Sequence, residues 1–456
     1  MPHNNLSVII LAAGAGTRMK SPQPKPLQEF AGSTILEHIL ESINKLQPKQ
    51  IIIVYSGDLK LFTDIIKQDN VVWVKQEQQL GTGNAVQTAL PQVTGSETII
   101  LCGDTPLVKA STLANLIDKS GKSLGLITAK LDNPFGFGRI VRNQESNLIK
   151  IVEEKDANEP EKEIKEISSG IIFSPTEFLK FSLARIDNNN AQGEYYLPSI
   201  IPIWLESGKV TTVLADQAVT VRGINTFSEL AELEAAYSYE VAKNLMSNGV
   251  RMTNPHSFIC LGEITAKPGV KIANNVTIRG KVTLEPGCII ESNCILEDVV
   301  IGENAIVKAN SIVLKSEVAS DATIGPFAYV RPNCSIGNQA KIGAFVEAKN
   351  TSIGIGSKAN HLSYLGDTNI GSNVNIGAGT ITCNYDGKNK FETNICDNAF
   401  IGSGSQLIAP LTIGINSYIG AGSCITDDTN SDSLTIARAR QTTIPNWKKE
   451  QKVSDK

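Results

Sequence analysis

The chain has 456 residues, 41% of them hydrophobic and 19% charged, with a formal net charge of −4. That composition is globular, the length suits two to four domains of about 150 residues, and the weak negative balance excludes a general nucleic-acid binder, which needs basic charge to displace counterions from phosphates. No apolar run approaches the ~20 residues of a membrane span and no signal peptide opens the chain, so a cytoplasmic protein with no membrane or nucleic-acid partner is expected.

The first part of the chain alternates short apolar runs with amphipathic stretches. Val8–Leu11, Ile51–Val54 and Ile99–Leu101 are too short for helices and are bounded by Gly, Asp or Pro. They read as buried parallel strands. Between them Thr34–Leu46 and Asn84–Leu90 have helical spacing, with Ile35, Ile39 and Ile43 on one face. Strand, helix, strand, helix predicts an open α/β sheet whose ligand sits at the carboxyl ends of the strands. Next, Thr226 and Glu229 have capping-box spacing, and Leu230, Leu233, Tyr237, Val241 and Leu245 trace one stripe up to Asn248-Gly249. This predicts a long connecting helix.

Beyond about residue 250 the period becomes six. Ile324, Val330, Ile336, Ile342 and Ala348 are spaced this way, as are Ile395, Ile401, Leu407, Ile413, Ile419 and Ile425. Small residues recur four places later, such as Ala328 after Ile324. Hexads of this kind make a parallel β-helix, three to a triangular coil, and the run is long enough for roughly nine coils. Residues 383–394 leave the period and must loop outward, and inserted loops on solenoids often line a binding face.

Several residue groups carry chemistry. Leu11-Ala12-Ala13-Gly14-Ala15-Gly16-Thr17-Arg18 follows the first strand, where a glycine-rich turn lets backbone N–H groups approach phosphate. Lys25 adds a second cation, and two cations with such a turn suit a triphosphate. Gln76 and Gly81-Thr82-Gly83 form a second turn. Asp104 ends the third strand on the same rim. A lone Asp there is as often a helix cap as a metal ligand, but beside a phosphate-binding turn it suits Mg²⁺, which takes one or two protein oxygens plus phosphates and waters, with Asn225 as the candidate second oxygen.

These motifs resemble the sugar-1-phosphate nucleotidyltransferases, whose signature is G-x-G-T-R followed by P-K. With Gln192-Gly193-Glu194-Tyr195-Tyr196 and the hexapeptide half, essentially residues 5–445 resemble the family that joins an N-acetylglucosamine-1-phosphate uridyltransferase to a glucosamine-1-phosphate N-acetyltransferase. The resemblance implies a Rossmann-like α/β nucleotidyltransferase domain over 1–226, a linker helix over 227–249, and a left-handed parallel β-helix acetyltransferase domain with a C-terminal tail over 250–456. Leu11, Ala12, Ala13, Gly14, Arg18, Lys25, Gln76, Gly81 and Thr82 would hold the nucleotide, Asp104 and Asn225 the Mg²⁺, and Gly138, Glu153 and Ser168 the amino sugar. Two positions depart from the pattern: Ser168 stands where the family usually has Asn, and Asn84 replaces the His of G-T-G-H.

Of four histidines only His361 lies inside the repeats, two places past the inward Ala359. A neutral imidazole accepts a proton from an attacking amine at neutral pH, and the resemblance implies that His361 is the general base of acetyl transfer. It further implies that Arg331, Lys349, Tyr364, Asn375 and Lys390 bind glucosamine-1-phosphate. Asn384 and Tyr385, in the outward loop, would meet substrate and acetyl-CoA, with Ala378, Ser403, Ala421 and Arg438 along the coenzyme A path. UTP and acetyl-CoA are the implied co-substrates and a homotrimer the implied assembly. Past Asp427 the tail leaves the hexads and is free to reach a neighbouring copy.

Alternatives remain from the residues alone. One is a nucleotidyltransferase whose β-helix serves only regulation or assembly. A zinc hydrolyase on the same helix needs three His ligands, which the repeats lack. Cys383, beside the loop, is a rival nucleophile to direct amine attack. The eight cysteines suggest disulfides by number, yet Cys288, Cys294 and Cys334 occupy small-residue hexad positions and read as inward packing.

Overall fold

The computed structural model describes residues 3–14 and 16–447; Ala15, inside the first glycine-rich turn, lies outside them. The chain divides into two compact units, Met1–Ser238 and Tyr239–Lys456. The division falls within the helix Phe227–Ser247.

In the first unit the strand order is Thr211–Leu214, Gly125–Lys130, Glu166–Pro175, Glu97–Cys102, Leu6–Leu11, Gln50–Tyr55, Val71–Lys75. Leu6–Leu11 pairs in parallel with Gln50–Tyr55 and Glu97–Cys102, so all three predicted strands are central neighbours. Val8 and Ile10 face one apolar layer while Ile9 faces the other. Burial on both faces is why these strands read as unbroken apolar runs. The sheet is mixed, because Glu166–Pro175 runs antiparallel to both its neighbours. A hairpin, Arg139–Arg142 with Leu148–Val152, branches from it.

The helix predicted from Thr34 begins at Ile35, with Thr34 and Glu37 forming a reciprocal capping box. The second predicted helix starts two residues earlier than its apolar stripe indicates, at Thr82, because the chain turns into the helix directly from Gly81. In the long helix Thr226 Oγ1 accepts the Glu229 N–H at 3.2 Å and Glu229 Oε2 accepts the Thr226 N–H at 3.0 Å, as the spacing predicts. No helix among the described residues is long and apolar enough to cross a membrane.

The second unit is a parallel β-helix. Each strand pairs in parallel with one from the next turn, giving sheets of eleven and fourteen strands among the described residues. The inward hexad residues from Ile324 to Ala348 and from Ile395 to Ile425 are at most 2% exposed. At the corners the backbone enters the left-handed region, filled mostly by Asn, Asp or Gly but also by Lys315, Phe327, Gln339, Phe345 and Leu362. Asn275, Asn293 and Asn310 stack at one corner through side-chain hydrogen bonds of 3.0 and 3.1 Å between residues 18 and 17 apart.

Three features differ from the hexad reading. There are more turns than nine, because Arg251–Met252 and Leu434–Thr435 stack as rungs without good hexads. The tail past Asp427 therefore returns to the ladder once, on Tyr418–Ile419. The outward loop is also shorter: Cys383 still pairs with Ile408, and Thr393 already pairs with Thr368, leaving 384–392 outside. All eight cysteines are free thiols; Cys288 and Cys294 are fully buried and Cys334 nearly so.

Candidate functional site

Two adjoining cavities open at the carboxyl ends of the first unit's central strands. The larger, of about 360 Å³, is lined by Leu11, Ala12, Ala13, Gly14, Lys25, Gln76, Gly81, Thr82 and Asp104. The smaller, of about 210 Å³, is lined by Gly138, Glu153, Ser168 and Asn225. Leu11, Thr82, Cys102 and Asp104 line both. The residues expected to hold nucleotide, divalent ion and amino sugar therefore meet at one rim.

At the junction Lys25 Nζ donates to Asp104 Oδ2 at 2.5 Å and to Asn225 Oδ1 at 3.2 Å. Arg18 lines neither cavity but donates to the same Asn225 oxygen at 2.7 Å. Asn225 is placed by the long helix's cap: Glu229 Oε2 accepts the Asn225 N–H at 2.6 Å, and the Ile224 N–H bonds the Asp104 carbonyl at 2.9 Å. One carboxylate and one amide oxygen converging beside two cations form a donor set for a hard divalent ion completed by phosphate.

The second turn depends on Gly81, whose φ is +108° and whose Cβ would lie 2.6 Å from the Tyr195 carbonyl oxygen. The Gly83 N–H donates to that oxygen at 2.7 Å, so the Gln192–Tyr196 motif acts as a backbone support. Asn84, the departure from the family pattern, accepts from Gln76 Nε2 at 2.8 Å and fixes that amide in the cavity wall. Gln79 and Glu194 also line the larger cavity; Gln79 belongs to no motif, and Glu194 lies in the Gln192–Tyr196 motif without an assigned role. Gln79 Nε2 bonds the Ala13 carbonyl at 2.5 Å; nothing in its spacing signals this. In the smaller cavity, burial and then nearby Asp156 push the Glu153 carboxyl above its ordinary range. Burial pushes the Cys102 thiol up to about 12, so it is a neutral wall group.

In the second unit, coil register does the assembling. Ala344 pairs with His361, and the pairs Ala359–Ile376, Ile376–Ile401 and Ile401–Ile419 place Ala378, Ser403 and Ala421 in the same column. The adjoining column is Phe345, Leu362, Gly379, Gly404 and Gly422, all with positive φ. Leu362 in that conformation costs roughly 1–2 kcal/mol, which glycine avoids in the later coils. The corner thus changes from bulky apolar side chains to bare backbone just beyond His361. Arg438 Cδ lies 3.9 Å from where a Gly422 Cβ would sit, so its side chain flanks the end of this track. The exposed His361 ring makes no hydrogen bond within the described residues.

A cationic group forms on the next sheet. Arg331 and Lys349 stand on consecutive rungs, and Tyr364 packs against Gly366, the rung beyond Lys349. Lys390 reaches in from the loop; its amine beside Lys349, with Arg331 adding, holds the Lys349 amine below the ordinary lysine value. Arg331 is paired with Glu347 at 2.8 Å, a partner the sequence reading did not include. Asn384 is nearly buried and donates to Asp367, which also accepts from Asn350 at 2.7 Å. Tyr385 is exposed, with its hydroxyl on the Gly387 carbonyl at 2.7 Å. Asn375 stands apart from the cationic group, in a column with Lys358 and Phe400. Burial raises the Cys383 thiol, opposite to what a nucleophile needs.

Residues 8–141 match the MobA-like NTP transferase domain and residues 315–348 match the bacterial transferase hexapeptide model of six repeats. The chain thus joins a nucleotidyltransferase to a hexapeptide transferase. It is 42% identical to the bifunctional protein GlmU of Herminiimonas arsenicoxydans, with 98% of this chain and 100% of that one covered. Identity to GlmU of Nitrosomonas eutropha is 45%, covering 99% of each chain. For GlmU of Francisella tularensis subsp. tularensis it is 49%, covering 99% of this chain and 100% of that one. The chain belongs to the GlmU family of bifunctional proteins.

Proposed function

We propose that the chain acetylates glucosamine-1-phosphate with acetyl-CoA and then transfers UMP from UTP to the N-acetylglucosamine-1-phosphate formed, giving UDP-N-acetylglucosamine and pyrophosphate. The observation that carries the nucleotidyl step is the convergence of Lys25 and Arg18 on Asp104 and Asn225 where the two cavities join. The sugar phosphate in the smaller cavity attacks the α-phosphorus of UTP in the larger, and pyrophosphate leaves. Asp104 and Asn225 would hold Mg²⁺, which when bound neutralises charge on the phosphate oxygens. Lys25 and Arg18 add fixed positive charge, and the two cavities hold the reactants in position.

For acetyl transfer, the amine of glucosamine-1-phosphate attacks the thioester carbonyl, forming the C–N bond and releasing the coenzyme A thiol. His361 accepts the amine proton. Arg331, Lys349 and Lys390 offer the phosphate three cations, and the glycine corner beyond Leu362 leaves a strip of backbone along which the coenzyme lies, flanked by Ala378, Ser403, Ala421 and Arg438. This reading assigns uridylyl transfer to the first unit and acetyl transfer to the second, in a cytoplasmic homotrimer. A β-helix serving only assembly would have no use for His361 on one sheet and the cations on the next.

Purified protein with acetyl-CoA, UTP, Mg²⁺ and glucosamine-1-phosphate should release free thiol and pyrophosphate. Appearance of neither rejects the reading; thiol without pyrophosphate rejects the uridylyl half.

A further inference from the structure

Antiparallel pairing sets Ile167, Arg139 and Val152 side by side on three neighbouring strands. The next rung toward the smaller cavity is Ser168, Gly138 and Glu153, joined by the Ser168 N–H to the Gly138 carbonyl at 2.8 Å. All three line that cavity and Arg139 does not. Successive strand residues face opposite ways, so the guanidinium lies behind the wall.

Arg139 is 1% exposed, among the largest fully buried side chains of the protein. A cation so placed needs a counter-charge and hydrogen-bonded partners, and three of its five N–H donors have them. Its donors go to the Phe137 carbonyl, to the Lys162 carbonyl at 3.4 Å and to Glu154 Oε2 at 2.6 Å. Glu154 Oε2 in turn accepts the Gly136 N–H at 3.0 Å. One planar group therefore ties together the loop before Gly138, the residue after Glu153 and the end of the short helix Glu159–Lys162. A lysine has no fork with which to reach all three.

We propose that Arg139 is a positioning residue for the sugar-phosphate acceptor: from behind the cavity it fixes the spacing of Gly138, Glu153 and Ser168, and so sets acceptor affinity without touching the acceptor. The inference rests on the uridylyl-transfer reading above.

The test is steady-state kinetics of pyrophosphate release by the full chain, varying N-acetylglucosamine-1-phosphate and UTP in turn. Arg139→Lys should raise KM for the acceptor about 10- to 100-fold, the scale of a sub-ångström to ångström misplacement, with KM for UTP unchanged. Glu154→Gln keeps the shape and loses one strong acceptor, so it should show the same split more weakly. Should Arg139→Lys fail to fold, Glu154→Gln decides. An unchanged acceptor KM, or equal rises in both KM values, overturns the inference. Absence of pyrophosphate from the wild-type enzyme overturns the functional reading instead.

Discussion

Lys25 and Asp104, 79 positions apart, meet at 2.5 Å with side chains only 15% and 19% exposed. A pair so shielded is screened less than a surface ion pair, and its charges act where phosphate charge would develop. The lysine comes from the turn after the first strand and the aspartate from the end of the adjacent parallel strand.

Lys25→Ala should lower uridylyl transfer by about 10²–10³-fold, the scale for removing one preorganised charge donor. Acetyl transfer by the same preparation should be unchanged. Parallel assays of pyrophosphate and free thiol check both, and equal loss of the two activities would contradict a two-site enzyme.

His361→Ala should cost acetyl transfer about 10²–10⁴-fold, as expected for loss of a general base. Cys383→Ala should retain most of it, since burial keeps that thiol protonated at neutral pH. Thiol release by the two variants separates direct attack from an acetyl-enzyme; the reverse ranking would establish the acetyl-enzyme.

The Lys349 amine is held below the usual lysine range by Lys390 first, then by burial, then by Arg331. As pH rises through that lowered value the site loses a cation, so kcat/KM for glucosamine-1-phosphate should fall earlier on the alkaline side than an ordinary lysine would dictate. In Lys390→Ala the affinity drops, but the alkaline limb should move to higher pH. A limb that stays in place excludes Lys349 as its origin.

His38 packs edge-on against Phe30 and Tyr237, with Nε2 2.9 Å from the Phe30 carbonyl oxygen. Burial lowers its pKa below 6.5, against smaller opposing effects from the Phe30 carbonyl, Glu41 and Glu37. The unfolded chain then binds more protons in the window below 6.5, so stability present above that pH is lost on acidification. Thermal unfolding of the full chain should show a steeper acid loss for wild type than for His38→Gln. Identical slopes would remove His38 from the account.

The central strands were legible because both faces are buried, and the hexads because every turn repeats the same inward demand. The capping box at Thr226 was legible too, but not that Glu229 also fixes Asn225, since that bond is to a backbone N–H outside the motif. Arg139 left no sequence signal: its partners are two carbonyls and a glutamate, and only pairing of the three strands brings them together. The additional turns escaped because Arg251–Met252 and Leu434–Thr435 stack through backbone hydrogen bonds while their side chains break the hexad pattern. The cationic group was recognisable as residues, but the Glu347 partner of Arg331 depends on coil register.

The column through His361, Ala378, Ser403 and Ala421 is kept by the inward positions beside it rather than by equal turn lengths. The turn from Ala359 to Ile376 is 17 residues and that from Ile401 to Ile419 is 18, yet all four residues stay inward, so the corners absorb a one-residue difference while the column is kept. Deleting a whole turn would keep every residue's orientation and only shorten the prism. Length differences in this half of the molecule therefore sit at corners, or in loops that leave and re-enter at the same rung as 384–392 does, and the inward positions keep their register.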